Sequence, residues 1–368
     1  MKHNARRTTS KFFLFVISII AFRSAINLNF STILPHLFVH SENTNNDARD
    51  GVQMHASFHP DQIPMLSANK TFVVTGANSG VGLSTAKILT KARTANLVIM
   101  ACRNMTKCNR ARDSILSEIR QEDQQRQEDT RIDVCEEQTH TAGTEEENID
   151  GSGDNDQIGL DSMKTRLVAM HLDLSSFSSV RSFSSDVQAV LASSGKKDEN
   201  TPPPLDALIN NGGIMGTTET LNAATTLGKE GVNIEPHLMV NHLGHFALTS
   251  LLLPNLESSN FGGRVVSVSS VLASLGPYTL RFDDLGFWER RNNLIYQSAF
   301  LQGIARYAVS KMANLLFSHG LHRMYTSRRD SGSMGTVTSV SAHPGYTRTN
   351  LIVSGWKWSH PIISKIMG

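Results

Sequence analysis

The stretch that most constrains this chain is Thr75-Gly76-Ala77-Asn78-Ser79-Gly80-Val81-Gly82, set between the apolar run Thr71-Phe72-Val73-Val74 and the segment Leu83 to Leu89. A short apolar run suits a strand buried on both faces of a parallel sheet. Glycines admit positive φ and close backbone approach, and apolar residues at helical spacing follow. The pattern reads strand, glycine turn, helix. Such a turn aims free amide N–H groups at an anion, and the helix dipole adds positive potential. Gly76, Asn78, Ser79, Gly80, Val81 and Gly82 are the residues it places around a pyrophosphate. An ordinary βα turn carries the same signature, so the reading needs support from the rest of the chain.

The 368 residues allow one large domain or two small ones, and the core-forming pattern begins near Lys70 and continues toward the C-terminus, as one α/β domain would. A formal net charge of +2 points to no nucleic acid or acidic polymer as partner. Cys102, Cys108 and Cys135 show no metal-ligand spacing, no disulfide framework is expected, and Cys102 reads as a small packing residue beside a strand end. At the N-terminus, Lys2, Arg6, Arg7 and Lys11 precede an apolar run from Phe12 to Phe22. Charge followed by an apolar run is the order of a targeting signal, and the run is shorter than the roughly 20 residues that span a bilayer. Residues 1–40 are therefore expected to be a signal peptide or a membrane anchor, with Ile33 to Val39 available to hold a membrane surface. Residues 41–69 are expected to be a linker. Localisation in the secretory pathway or at the endoplasmic reticulum membrane follows, with a plastid reached through a signal plus transit segment as the alternative.

Downstream, Asn96 to Met100 reads as a second strand, ending at Ala101-Cys102-Arg103-Asn104. In a nucleotide-binding βαβ unit the end of strand two faces the adenosine ribose. An acidic residue there suits a 2′-hydroxyl and an arginine suits a 2′-phosphate, through the paired charge-assisted bonds of its planar fork. Arg103 thus favours NADP over NAD, and Lys107 and Arg110 add positive field. The following helix is expected to reach about Arg120 and to give way to a disordered insertion over residues 121–161, acidic and nearly free of apolar side chains. Arg166 to Leu174 is a third strand. Asp173 at its end is a candidate acceptor for the adenine amino group, and Ser175 a candidate N-cap.

Asp206 to Ile209 gives a fourth strand, turned by Asn210-Asn211-Gly212-Gly213, where a cofactor ribose would pass. A helix is expected over Asn233 to Leu256, carrying Val240-Asn241-His242-Leu243-Gly244-His245-Phe246. A buried Asn241 needs partners, since an unsatisfied amide costs on the order of 1 to 3 kcal/mol. His242 and His245 lack a third metal ligand and are read as packing or capping residues. Arg264 to Val268 is a fifth strand, ending in Ser269-Ser270; about 35 residues later Tyr307-Ala308-Val309-Ser310-Lys311 opens a helix. Four-residue spacing puts Tyr307 and Lys311 on one helical face, with the ammonium near the phenol.

Taken in order, Gly76-x-x-x-Gly80-x-Gly82, Asn210 to Gly213, Asn241, Ser270, Tyr307 to Lys311 and Pro344-Gly345 resemble the short-chain dehydrogenase/reductase family over about residues 70–350. The wording around Asn241, Ser310 to Asn314 and His343-Pro344-Gly345 is similar to the retinol dehydrogenase, WW-domain oxidoreductase and protochlorophyllide reductase group. The resemblance implies an α/β, doubly wound, Rossmann-type parallel sheet of seven strands in a single domain; the strand pattern supports six. It implies hydride transfer between NADP(H) and a hydrophobic carbonyl, alcohol or conjugated substrate. Tyr307 would be the general acid/base, Lys311 a ribose ligand that lowers the tyrosine pKa, Ser270 a donor to the substrate oxygen and Asn241 the support of a water relay. Ser269 is the alternative to Ser270. Asn211, Gly212, Pro344, Gly345, Thr347 and Thr349 would join the cofactor site, and a homodimer and membrane association through the N-terminus are compatible with it.

Two departures stand out. The family's Asn-Asn-Ala-Gly is Asn-Asn-Gly-Gly here, which loosens the turn without removing a donor. After Thr349 the residues 351–368 read as a short tail with no recognisable last strand, so the sheet is expected to lack that strand. A catalytically idle NADP(H)-sensing module, signalling redox state to a membrane partner, is the alternative function.

Overall fold

The computed structural model describes residues 70–92, 95–140, 166–194, 201–216, 221–222, 233–275, 299–330 and 337–345, all within the compact unit His59–Gly368. The expected targeting segment, the linker, residues 141–161 of the expected insertion, Thr347, Thr349 and the tail lie outside these residues. No helix among the described residues is long and apolar enough to cross a membrane.

Six strands form one parallel sheet in the order β3-β2-β1-β4-β7-β8. They are β1 (Lys70–Thr75), β2 (Ala95–Cys102), β3 (Arg166–His171), β4 (Ala207–Asn210), β7 (Arg264–Val268) and β8 (Thr338–Ala342). A separate antiparallel pair joins β5 (Leu221–Asn222) to β6 (Asn233–Ile234). The helices are α1 (Gly80–Lys91), α2 (Met105–His140), α3 (Phe177–Ser194), α4 (Gly244–Glu257) and α5 (Ala299–Asp330).

Strand alternation divides the core between the two faces of the sheet. Val73 of β1, with Leu97 and Ile99 of β2, packs with Val180, Phe183 and Val187 of α3, Leu248, Leu252 and Leu256 of α4, and Leu321 of α5. Phe72 and Val74 point the other way, joining Val98 and Met100 to Ala86 of α1 and Cys108 and Ile115 of α2. With helices on both sides, the strands read as continuous apolar runs, which places five of them in the sequence, and the sheet has the six that the pattern supports. The sixth, β8, carries polar Thr338, Ser339 and Ser341, and its pattern alone did not mark it.

The structure changes several expectations. The helix expected to stop near Arg120 continues to His140, so the first part of the expected insertion is helical. Its Glu, Gln and Arg side chains are good helix formers, and a helix can be propagated by propensity and charge where it buries little. Around its middle, Lys87 and Lys91 of α1 pair with Glu118, and Lys91 with Glu122. The cap of α3 is Ser176, whose Oγ accepts from the Ser179 N–H at 3.3 Å; Ser175 is held instead by Asp173. The helix expected from Asn233 starts later. After β6, Glu235 accepts from the Leu238 N–H at 3.0 Å and caps a turn, Pro236–Leu238, that leads into a π-helical turn, Met239–Leu243, and then α4. Finally, Cys102 and Cys108 form a disulfide, because the end of β2 and the first turn of α2 bring their Cα atoms within 6.0 Å.

Candidate active site

The chain runs from β1 outward to β2 and β3, then returns to β4 on the other side of β1 and proceeds to β7 and β8. A doubly wound sheet has its crevice where the order reverses, outside the carboxyl ends of the strands. Here that place lies between β1 and β4, whose ends carry Gly76 and Asn211-Gly212-Gly213. The two turns pack closely. A Cβ on Gly76, whose φ is +65°, would come 2.7 Å from Gly212 Cα, and one on Gly82 would come 2.6 Å from Gly76 O. Both collisions are with backbone, so only glycine fits. Gly212 stands where the resemblance has alanine; a Cβ there would meet Leu174 Cδ1 at 2.9 Å, and the glycine gives that leucine room.

Thr75, the last residue of β1, ties the turns together. Its Oγ1 accepts from the Asn211 N–H at 2.9 Å and the Gly212 N–H at 2.8 Å, and lies 2.8 Å from His245 Nε2. With two donors already on the oxygen, its proton goes to Nε2, leaving Nδ1–H of His245 to donate to Asn241 O at 3.0 Å. His245 is fully buried, and desolvation holds its pKa down to about 3, so the imidazole stays neutral. The Asn211 side chain donates to Thr75 O at 2.8 Å.

The Ser79 N-cap of α1 is extended and makes no side-chain capping bond, so the helix start presents its amides unscreened by a side chain. The glycine cradle and this helix start suit a pyrophosphate. Arg103 follows β2 directly and is exposed, with Asn104 Oδ1 capping the Lys107 N–H at 2.9 Å. Asp173 Oδ1 accepts from the N–H of Ser175 at 2.9 Å and its hydroxyl at 2.6 Å, so that oxygen orders the loop after β3. Gly345, φ +69°, follows Pro344 in an exposed turn in which the Gly345 N–H donates to His343 Nδ1 at 3.0 Å.

Just past the end of β7, along the first half of α5 and in the π turn the four remaining residues converge; α5 starts at Ala299, two turns before Tyr307, where a helix was expected to open. Ser269 is buried and donates to Lys311 O at 2.7 Å, which commits it to joining β7 to α5. The Ser270 hydroxyl lies near enough to the Tyr307 phenol to pull its pKa down against burial. Lys311 Nζ donates to Val268 O at 2.9 Å and lies 5.6 Å from the Tyr307 ring centre. Burial of Lys311 pulls its pKa down to about 8. Asn241 sits in the π turn, where its side chain accepts from the Ile214 N–H at 2.8 Å and donates to Ile214 O at 3.1 Å and Ser310 Oγ at 2.9 Å. The buried amide is thus fully partnered. Gly213 faces both groups: a Cβ there would meet Asn241 Oδ1 at 3.0 Å and Lys311 Nζ at 3.7 Å.

Burial raises the Tyr307 pKa, and the neighbouring Ser270 hydroxyl acts in the opposite direction. The sequence passed over Thr75, Glu235 and His237. A hydroxyl just before a glycine turn, and an acid and an imidazole inside the apolar stretch 234–240, were the available signals. His242 and His245, read as packing or capping residues, hold specific hydrogen bonds, His242 Nδ1 lying 3.1 Å from Asn314 Oδ1. Among the described residues no group of three potential metal ligands occurs.

Comparison with known proteins agrees with this geometry. The family model for short chain dehydrogenase matches residues 156–280. Mouse retinol dehydrogenase 14 is 33% identical over 288 residues, 78% of this chain and 64% of that protein. A chloroplastic short-chain dehydrogenase of Brassica napus, TIC 32 B, is 31% identical over 287 residues, 76% of this chain and 65% of that protein. The chain therefore spans just under two thirds of the length of these relatives. A solved structure of an uncharacterised protein from Mycobacterium paratuberculosis shares 30% identity at a TM-score of 0.50, covering 81% of this chain and 76% of that one. With the reversed parallel sheet, the glycine cradle and the Ser270, Tyr307 and Lys311 cluster already in place, the chain belongs to the short-chain dehydrogenase/reductase family and stands with its retinol dehydrogenase group.

Proposed function

We propose that the chain is an NADP(H)-dependent oxidoreductase that interconverts a hydrophobic carbonyl, alcohol or conjugated substrate with its reduced or oxidised partner. The observation that carries this reading is the contact of Ser270 with the Tyr307 phenol beside the buried Lys311 ammonium, at the crevice lined by Gly76 and Gly213. Gly76 to Gly82 would hold the pyrophosphate and Arg103 the 2′-phosphate, with Lys311 and Asn211 on the ribose side. A bound nicotinamide supplies or accepts the hydride.

The chain's own residues handle the proton. Ser270 and Tyr307 present two hydroxyls to one substrate oxygen. Tyr307 donates its proton as that oxygen gains negative charge, and accepts one in the opposite direction. Burial disfavours the resulting phenolate, so Lys311 must be charged to offset it, and its Nζ is anchored by Val268 O. The hydrophobic substrate class is supported by the retinol dehydrogenases among the relatives, whose names say what those proteins act on.

The test is NADPH oxidation across retinal-like, steroid-like and small aldehydes, with Tyr307→Phe alongside. Loss of the proton donor is expected to lower kcat by about 10²- to 10⁴-fold with cofactor affinity retained. Tight NADPH binding without turnover of any substrate would overturn the enzyme reading and select the sensing module.

A further inference from the structure

Outside the cluster described above, the structure buries a second pair of chemically active side chains. Glu235 and His237 are both fully inaccessible, and His237 Nδ1 lies 2.5 Å from Glu235 Oε1. The other carboxylate oxygen accepts the Leu238 N–H at 3.0 Å. A carboxylate removed from water is costly unless every oxygen is engaged, and this one is engaged at both. On its far side, His237 Nε2 accepts the Gly216 N–H at 3.0 Å.

That last contact fixes the tautomer. An amide N–H can only donate, so Nε2 must be the bare nitrogen and the ring proton must sit on Nδ1, facing Glu235. The acid therefore sets the imidazole, and the imidazole sets Gly216. Gly216 has a φ of +91°, a conformation open to glycine without strain, and the bond to His237 holds it there. It lies in the stretch that follows β4 and starts at Asn211. The same segment is held at its start by Thr75, through the N–H groups of Asn211 and Gly212, and in the middle by Asn241, through both backbone groups of Ile214. The His237 ring also meets the Tyr307 ring edge-on, with centres 6.3 Å apart and planes at 83°. One imidazole thus meets both Gly216 and the candidate acid/base.

We propose that His237, oriented by Glu235, is a positioning residue: it sets the distance between the 211–216 segment and Tyr307, and so the width of the slot in which the substrate oxygen meets the phenol. The kinetic part of this inference rests on the oxidoreductase reading, while its structural part does not. His237→Leu removes the acceptor for Gly216, and His237→Gln keeps one.

Two measurements separate the possibilities. Hydrogen exchange on the full chain reads the loop without any substrate. In His237→Leu the amides of 214–216 are expected to exchange about tenfold faster, the equivalent of one net hydrogen bond, while those of 80–90 are unchanged. Steady-state kinetics with NADPH should show kcat lower by about tenfold, cofactor affinity within about twofold, and most of the loss recovered in His237→Gln. Equal exchange in wild type and His237→Leu overturns the proposal, as does a parallel loss of cofactor affinity and kcat with no rescue by glutamine, which marks a purely structural role. If the wild type turns over no substrate, the function reading fails and the dyad is judged by exchange alone. If His237→Leu does not fold, the nitrogen shifts of His237 in the wild type decide: a protonated Nε2 refutes the assignment and a protonated Nδ1 supports it.

Discussion

At the scale of single residues, charge and burial act against each other throughout the site. Lys311 titrates near 8 because its ammonium is desolvated. The reduction rate is therefore expected to fall as pH rises through about 8, since the neutral amine no longer supports the phenolate of Tyr307, and a pH profile of kcat measures this. Arg103 is argued from the opposite condition: it is exposed and free to meet a phosphate. Arg103→Asp is expected to weaken NADPH by about tenfold or more while leaving NADH nearly unchanged, as titration of each cofactor would show. Equal losses would sink the assignment. The types and spacing of Ser270, Tyr307 and Lys311 were legible in the sequence because side chains that share a helix face or end a strand follow a fixed period. The choice between Ser269 and Ser270 was not, as it depends on which hydroxyl α5 takes.

Among the elements, the glycine turn and the π turn do the positioning. A Cβ on Gly82 would stand 2.4 Å from Asn211 Nδ2 and 2.6 Å from Gly76 O. Gly82→Ala is expected to part the β1 and β4 turns, with dinucleotide affinity reduced by about tenfold or more and thermal stability lowered by about 1 to 3 kcal/mol, read by titration and by denaturant melts. The π turn at Met239–Leu243 explains how an asparagine can exist inside an apolar helix: it directs Asn241 at Ile214 while His245, four residues on, reaches Thr75. Sequence periodicity located that helix but not its irregularity, because a single π turn shifts the apolar face without erasing it. The charged continuation of α2 was missed for the converse reason: lack of an apolar face argued for disorder, whereas the helix propensity of its Glu, Gln and Arg residues favours a helix.

For the whole molecule, stability is expected to rise with pH in two separate windows. The folded His245 stays neutral down to about 3, while the unfolded imidazole takes up a proton below about 6.5. The unfolded state therefore binds more protons between those values, and stability falls as pH is lowered through them. Lys311 is depressed from 10.5 to about 8, so between those values the unfolded chain again holds the extra proton, and stability rises with pH there. Melts from pH 4 to 6 should flatten in His245→Gln if the histidine carries the acid limb. An unchanged slope would assign it elsewhere. The sheet order, with helices on both faces, was legible as a class from the alternation of strand and helix patterns; its last strand was not, since its polar residues resemble a loop.

The reversal of strand order between β1 and β4 also bears on how the chain reaches this state. Thr75 is 136 residues from Asn211, and Lys311 is 43 from Val268. The turns after β1 and β4 come from segments that are far apart along the chain, so loop closure must precede any nucleotide contact there. A nascent chain that has only reached α3 holds the glycine turn but not its opposing wall. On the proposed function, nucleotide affinity would be a late product of folding, and the dinucleotide would act as a clasp on the finished sheet rather than a template for its assembly.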